Sequence, residues 1–207
     1  MMGVQPRWVW AYRHVLGLVI VAAVATQYQF SRRTFGVDPL NFFSFFTIQS
    51  NMMLAAVWLL LDSDRTRAAV TLYLCITGAV YALLLSGVDA IVRIQVPWVN
   101  TVLHQVMPLA ALADWVLVPP QRPLGWRRML PALGYPLLYL GYTLVRGAVV
   151  GWYPYPFLDP GGPGGYRPVA WLSLLITAAA ALGALGIAWL GDVRRRQILE
   201  RQSSPWT

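Results

Sequence analysis

The chain has 207 residues, 57% of them hydrophobic and only 12% charged, about half the charged share of a soluble domain. Too few polar groups exist to cover that apolar surface, which excludes a soluble globular protein and leaves lipid as the solvent. The net charge of +8 does not point to nucleic acid, because the basic residues lie between apolar runs rather than on a basic domain.

Crossing about 30 Å of hydrocarbon takes about 20 apolar residues. Six runs meet that requirement, at residues 10–30, 42–61, 68–89, 98–118, 129–151 and 167–190. The expectation is an all-α polytopic membrane protein, a single bundle of six transmembrane helices over residues 1–207. Turn residues separate the runs: Asp38-Pro39 before the second, with Asn41 as its N-cap, Asp62-Ser63-Asp64-Arg65 before the third, Pro97 before the fourth and Pro119-Pro120 after it. Arg7 and Arg13 ahead of the first run, with Ala23-Val24-Ala25 within it, also fit a cleavable signal. The apolar run continues to Phe30, which favours a permanent span.

All 16 basic residues are arginine. With the many alanines, leucines and glycines this is the composition of a high-GC bacterial gene, and the cytoplasmic membrane of a bacterium is the expected location. The N-terminus, second loop, fourth loop and C-terminus hold eleven arginines, while Arg32, Arg33, Arg93 and Arg167 lie on the other side. The positive-inside rule then places both termini in the cytoplasm. Cys75 is the single cysteine, so no internal disulfide forms.

Within this topology polar residues converge on one depth. Thr47 lies five residues into the second run, His104 six into the fourth, and Arg146 five before the end of the fifth. At 1.5 Å per residue each falls about 7–9 Å below the outer boundary, and Asp89 ends the third run on that side. Thr47, Ser50, Asn51 and Leu54 share a helix face, as do Asn100, His104, Met107 and Ala111. Pro108 is expected to free the carbonyl of His104 and kink the helix. Taken singly, these residues have structural roles: Thr47 bonding its own helix four residues back, His104 joining two helices, Arg146 reaching the headgroups. Asp114 is expected to pair with Arg122 or Arg128, and Trp98, Trp115, Trp152 and Trp171 to form an interfacial belt. The shared depth sets Thr47 with His104 apart.

A hydroxyl beside an imidazole permits ester hydrolysis, with Thr47 as nucleophile and His104 as general base. Gln49, Asn51 or Arg146 would donate to the oxyanion, Ser50 would support the site, and Asp89 would orient the imidazole or the dyad would lack an acid. The two histidines lie at opposite ends, which disfavours a bis-histidine haem. No HExxH or Cys/His cluster supplies a metal site, and no cofactor is expected. The Trp152–Pro160 loop, stiff with proline and rich in aromatic residues, would gate the pocket or anchor at the interface.

The stretch Phe43-Ser44-Phe45-Phe46-Thr47-Ile48-Gln49-Ser50-Asn51, His104 followed by Pro108 and Asp114-Trp115, and the Tyr153-Pro154-Tyr155-Pro156-Phe157 loop together resemble the androgen-induced and androgen-dependent TFPI-regulating membrane proteins, in their bacterial six-helix branch. The resemblance implies threonine hydrolases of fatty acid esters of hydroxy fatty acids, with Thr47 and His104 in the catalytic positions. Membrane lipids or acyl esters are the expected partners. A small-solute or lipid transporter and a lipid-binding protein without turnover are the alternatives; oligomeric state is not legible.

Overall fold

The computed structural model describes residues 6–61, 63–87 and 95–203. Asp62, Asp89 and Arg93 lie outside the described residues. The regular structure among the described residues is helical, with no strand. We label the principal helices α1 (Arg7–Phe35), α2 (Phe46–Leu60), α3 (Asp64–Leu85), α4 (97–117), α5 (Gly134–Val150) and α6 (Tyr166–Ser203).

Three of them, α1, α3 and α6, are long and apolar enough to cross a membrane. The other predicted runs form shorter or interrupted helices, each for a local reason. The second run breaks in two. Asp38 accepts from the amides of Leu40 and Asn41 and starts a one-turn helix, Pro39–Phe43, with proline at its first position. The chain then turns extended at Phe45, and α2 begins afresh at Phe46. Asn41 is therefore not the N-cap of the span. In the fourth run a π turn, Val102–Val106, interrupts α4 ahead of Pro108. The fifth run enters through a 3-10 turn, Leu130–Leu133, that contains Pro131.

Helix α1 buries Val9, Arg13, Gly17, Ile20, Val24, Gln27 and Ser31, a stripe at spacings of three and four. Gly17 admits Leu59 of α2, whose Cγ lies 2.9 Å from the position a Cβ would take. With Ile20 and Ala23 fully buried, the segment that resembled a cleavable signal is part of the core. Helix α3 is central, packed by α2, α4 and α6. Helix α6 buries Ala180, Ala184, Ala188 and Gly191, small residues that let helix backbones approach. Trp115 belongs to this core rather than to a belt. It is fully buried, lies against Gly191 and donates its indole N–H to the Ile187 carbonyl at 2.9 Å. The partners of Asp114 also differ from expectation. Arg13 of α1 bonds it at 2.7 and 3.2 Å, Arg67 of α3 at 3.2 Å, and the Tyr12 hydroxyl donates to it as well. These donors from packed helices saturate the carboxylate in place of Arg122 and Arg128; Arg128 bonds the Pro123 carbonyl at 2.9 Å instead.

Helix α5 is peripheral and buries only Tyr139, Thr143 and Gly147. Between α5, α3 and α6 lies an open cavity.

Candidate active site

The helix break at Phe45 builds the site. It leaves carbonyls without helical partners, and side chains satisfy them: Gln49 Nε2 donates to the Phe43 carbonyl at 2.7 Å, and the Tyr139 hydroxyl donates to that of Ser44 at 2.9 Å. The Ser44 hydroxyl returns to Leu40 O at 2.6 Å. The break also makes Thr47 the second residue of α2, where amides lack a partner within the helix. The Thr47 amide donates instead to the Tyr155 hydroxyl at 3.3 Å. Its side chain does not bond back to Phe43. Thr47 Oγ1 lies 3.2 Å from His104 Nε2.

The other ring nitrogen fixes the chemistry of that contact. His104 Nδ1 sits 3.1 Å from the Asn100 carbonyl, which can only accept, so Nδ1 carries the proton and Nε2 presents a lone pair to the threonine hydroxyl. A backbone carbonyl thus orients the imidazole where an acidic residue was considered. The ring also stacks on Tyr81, with centroids 4.3 Å apart, and Asn100 Nδ2 donates to the Tyr81 hydroxyl at 2.6 Å. Both stacked residues lie in π turns, Tyr81–Leu85 and Val102–Val106, a distortion frequent at functional sites. In the second, the Met107 amide bonds the Val102 carbonyl. Pro108, next in that register, has no N–H for the Leu103 carbonyl. Asn51 Nδ2 supplies the bond at 3.1 Å, so proline frees Leu103 for a neighbouring helix. Gly78 lets α3 lie against this proline, whose Cβ is 3.0 Å from the position a Cβ would take on that glycine.

The remaining candidates have other duties. Asn51 Nδ2 also donates to the Thr47 carbonyl at 2.9 Å, which leaves its side chain only a carbonyl oxygen, buried and unpartnered. The Ser50 hydroxyl donates to the same Thr47 carbonyl and lies 2.9 Å from Thr77 Oγ1. Arg146 is turned away: it bonds Asn41 Oδ1 at 2.6 Å and lies over the Trp152 ring at 5.3 Å. Gln49 is held between Phe43 and the Tyr135 hydroxyl. The geometry therefore brings Thr47, His104, Ser50 and Asn51 together and leaves Arg146 and Gln49 engaged elsewhere.

Thr47 also faces the cavity, about 820 Å³ of empty space including its open mouth. Beside it stand Tyr139, Tyr155 and Thr77, and beyond them the walls are almost wholly hydrocarbon, as at Val80, Leu137, Leu140 and Ile176. Tyr155, Phe157 and Leu158 bring the aromatic loop into the wall. Tyr155 is 8% exposed, stacked on Phe157 at 5.2 Å and edge-on to Phe45 at 5.7 Å. Sequence reasoning placed this loop near the site but missed Tyr155 as an individual. Its signal was the stiff Tyr-Pro-Tyr-Pro-Phe run. The loop is fixed at its base by Gly147, because the Tyr153 ring occupies the space of any side chain there.

No known family model, curated protein or solved structure matches the chain.

Proposed function

We propose that this protein is an intramembrane hydrolase of lipid acyl esters, with Thr47 as nucleophile and His104 as general base. One observation carries the reading: a threonine hydroxyl within hydrogen-bond reach of an unprotonated imidazole nitrogen, on the wall of a hydrocarbon-lined cavity. The cavity accepts an acyl chain, which places the ester carbonyl at Thr47 among the polar residues of its end. Thr47 Oγ1 attacks while its proton passes to His104 Nε2. Collapse of the tetrahedral intermediate expels the alcohol, which takes that proton, and leaves an acyl-threonine that water cleaves by the same steps.

In this reading the six principal helices form one bundle in a bacterial cytoplasmic membrane, with both termini in the cytoplasm and Thr47 toward the outer leaflet. The likeness of the Phe43–Asn51 and His104–Trp115 segments to the androgen-induced and androgen-dependent TFPI-regulating proteins supports it. A solute path would have to continue toward Asp114, and the cavity wall includes none of the Arg13, Arg67 and Asp114 group. The test is labelling by an alkyl fluorophosphonate and hydrolysis of a medium-chain p-nitrophenyl ester. Thr47→Ala and His104→Ala are expected to abolish labelling with the fold retained; undiminished labelling of both variants rejects the dyad.

A further inference from the structure

An ester hydrolase needs a donor for the oxyanion, and none of Gln49, Asn51 and Arg146 supplies one at the cavity: Gln49 and Arg146 do not line it and bond the Phe43 carbonyl and Asn41 Oδ1, and Asn51 has only its carbonyl oxygen free. The donor must lie beside Thr47, face the cavity and hold a proton that no carbonyl or carboxylate of the protein takes. Six polar side chains line the cavity, and two of them, Ser173 and Thr177 of α6, make no hydrogen bond to Thr47 or to the groups bonded to it. Of the others, Thr47 is the nucleophile. Tyr139 gives its proton to the Ser44 carbonyl. Thr77 is paired with Ser50. Tyr155 differs from them. Its oxygen accepts the Thr47 amide at 3.3 Å, and its neighbours are the hydroxyls of Thr47 and Tyr139. Its own proton is committed to no carbonyl or carboxylate among the described residues.

We propose that Tyr155 is a catalytic residue, its phenolic O–H donating to the carbonyl oxygen of the ester under attack at Thr47. The proposal rests on the Thr47–His104 reading. As Thr47 Oγ1 bonds to the carbonyl carbon, the carbonyl electron pair moves onto oxygen, and the phenol stabilises that charge until the C=O bond reforms. No proton is transferred from the phenol in either direction. Geometry favours this role on two counts. The amide of Thr47 occupies a lone pair of the phenolic oxygen and so turns the O–H away from the backbone, while the stack on Phe157 and the edge contact with Phe45 hold the ring in place. Burial raises the affinity of this loop phenol for its proton, which keeps it a donor at neutral pH. A donor held in place before the reaction, in a site from which water is excluded, has its largest effect on the transition state.

Tyr155→Phe removes the hydroxyl and keeps both ring contacts. With a p-nitrophenyl octanoate substrate, kcat is expected to fall about 10²–10³-fold, the range seen on removing one oxyanion donor, with KM changed less than about threefold. Affinity for an alkyl trifluoromethyl ketone, which forms an oxyanion on addition of Thr47, falls in parallel, whereas affinity for the matching alkyl ether does not. Equal loss of affinity for both compounds makes Tyr155 a packing residue and overturns the proposal, as does a kcat within threefold of the parent. Should Tyr155→Phe fail to fold, 3-fluorotyrosine at position 155 retains the packing and alters donor strength; an unchanged kcat then overturns it. Thr47→Ala separates the two ideas. Full activity in Thr47→Ala rejects the dyad itself, while an inactive Thr47→Ala beside a fully active Tyr155→Phe rejects only the role of Tyr155.

Discussion

The molecule buries two polar clusters about 15 Å apart along α4, ten residues of helical rise from His104 to Asp114, and they are built on opposite principles. Around Asp114 the groups are charged and saturated: Arg13 and Arg67 bond the carboxylate, Tyr12 donates to it, Asp64 takes a second N–H of Arg67 at 3.1 Å, and the Trp115 ring lies 5.1 Å from the Arg67 guanidinium. Around Thr47 the described groups are neutral, and the site borders a cavity. The difference separates structure from chemistry. Charges taken out of water must be paired, and a pair locked from all sides has nothing to offer a substrate. A neutral imidazole costs less to bury, and its lone pair stays available for a proton.

Substitutions at the two clusters should therefore dissociate activity from stability. His104→Ala is expected to lower ester turnover by about 10²–10⁴-fold, the usual contribution of a general base, with little change in thermal denaturation in detergent. Asp114→Ala should do the reverse. It strands two buried guanidinium groups and is expected to cost about 3–5 kcal/mol, read as a lower denaturation temperature, while folded protein retains its turnover. A stable Asp114→Ala protein with no activity would break the contrast. Gly147→Ala pushes on the Tyr153 ring and displaces the aromatic loop. Overpacking of this kind costs about 1–3 kcal/mol, and turnover should fall with it, since the same loop carries Tyr155. The smallest effect is expected at the edge of the charged cluster. Asp64 is partly exposed, so Asp64→Asn should cost less than about 1 kcal/mol, measured in the same denaturation assay.

Much of this site was legible in the sequence because helical spacing converts directly into depth and face. Thr47 with His104, and the Asn100–Ala111 face, needed only the 1.5 Å rise and the 3.6-residue turn. What escaped were features that depend on contacts between distant segments. The break at Phe45 has no proline or glycine to mark it; it is held by Tyr139 and Gln49, which satisfy the carbonyls it exposes. The π turns at Tyr81 and Val102 likewise carry no local signature beyond Pro108, and the sequence did not show that the π register opens the Leu103 carbonyl to Asn51. Asp114 was paired with arginines near in sequence because the approach of α1 and α3 to α4 is a tertiary fact. Counting apolar residues also overstated helix length, since a run of 20 such residues can hold a break, as at Phe45, without showing it.

The most direct measurement is the site of covalent modification. After reaction of the folded protein with an alkyl fluorophosphonate, peptide mapping by mass spectrometry should find the adduct on Thr47, and none in His104→Ala protein. An adduct on any other residue, or one on Thr47 that forms at an undiminished rate without His104, would contradict the account.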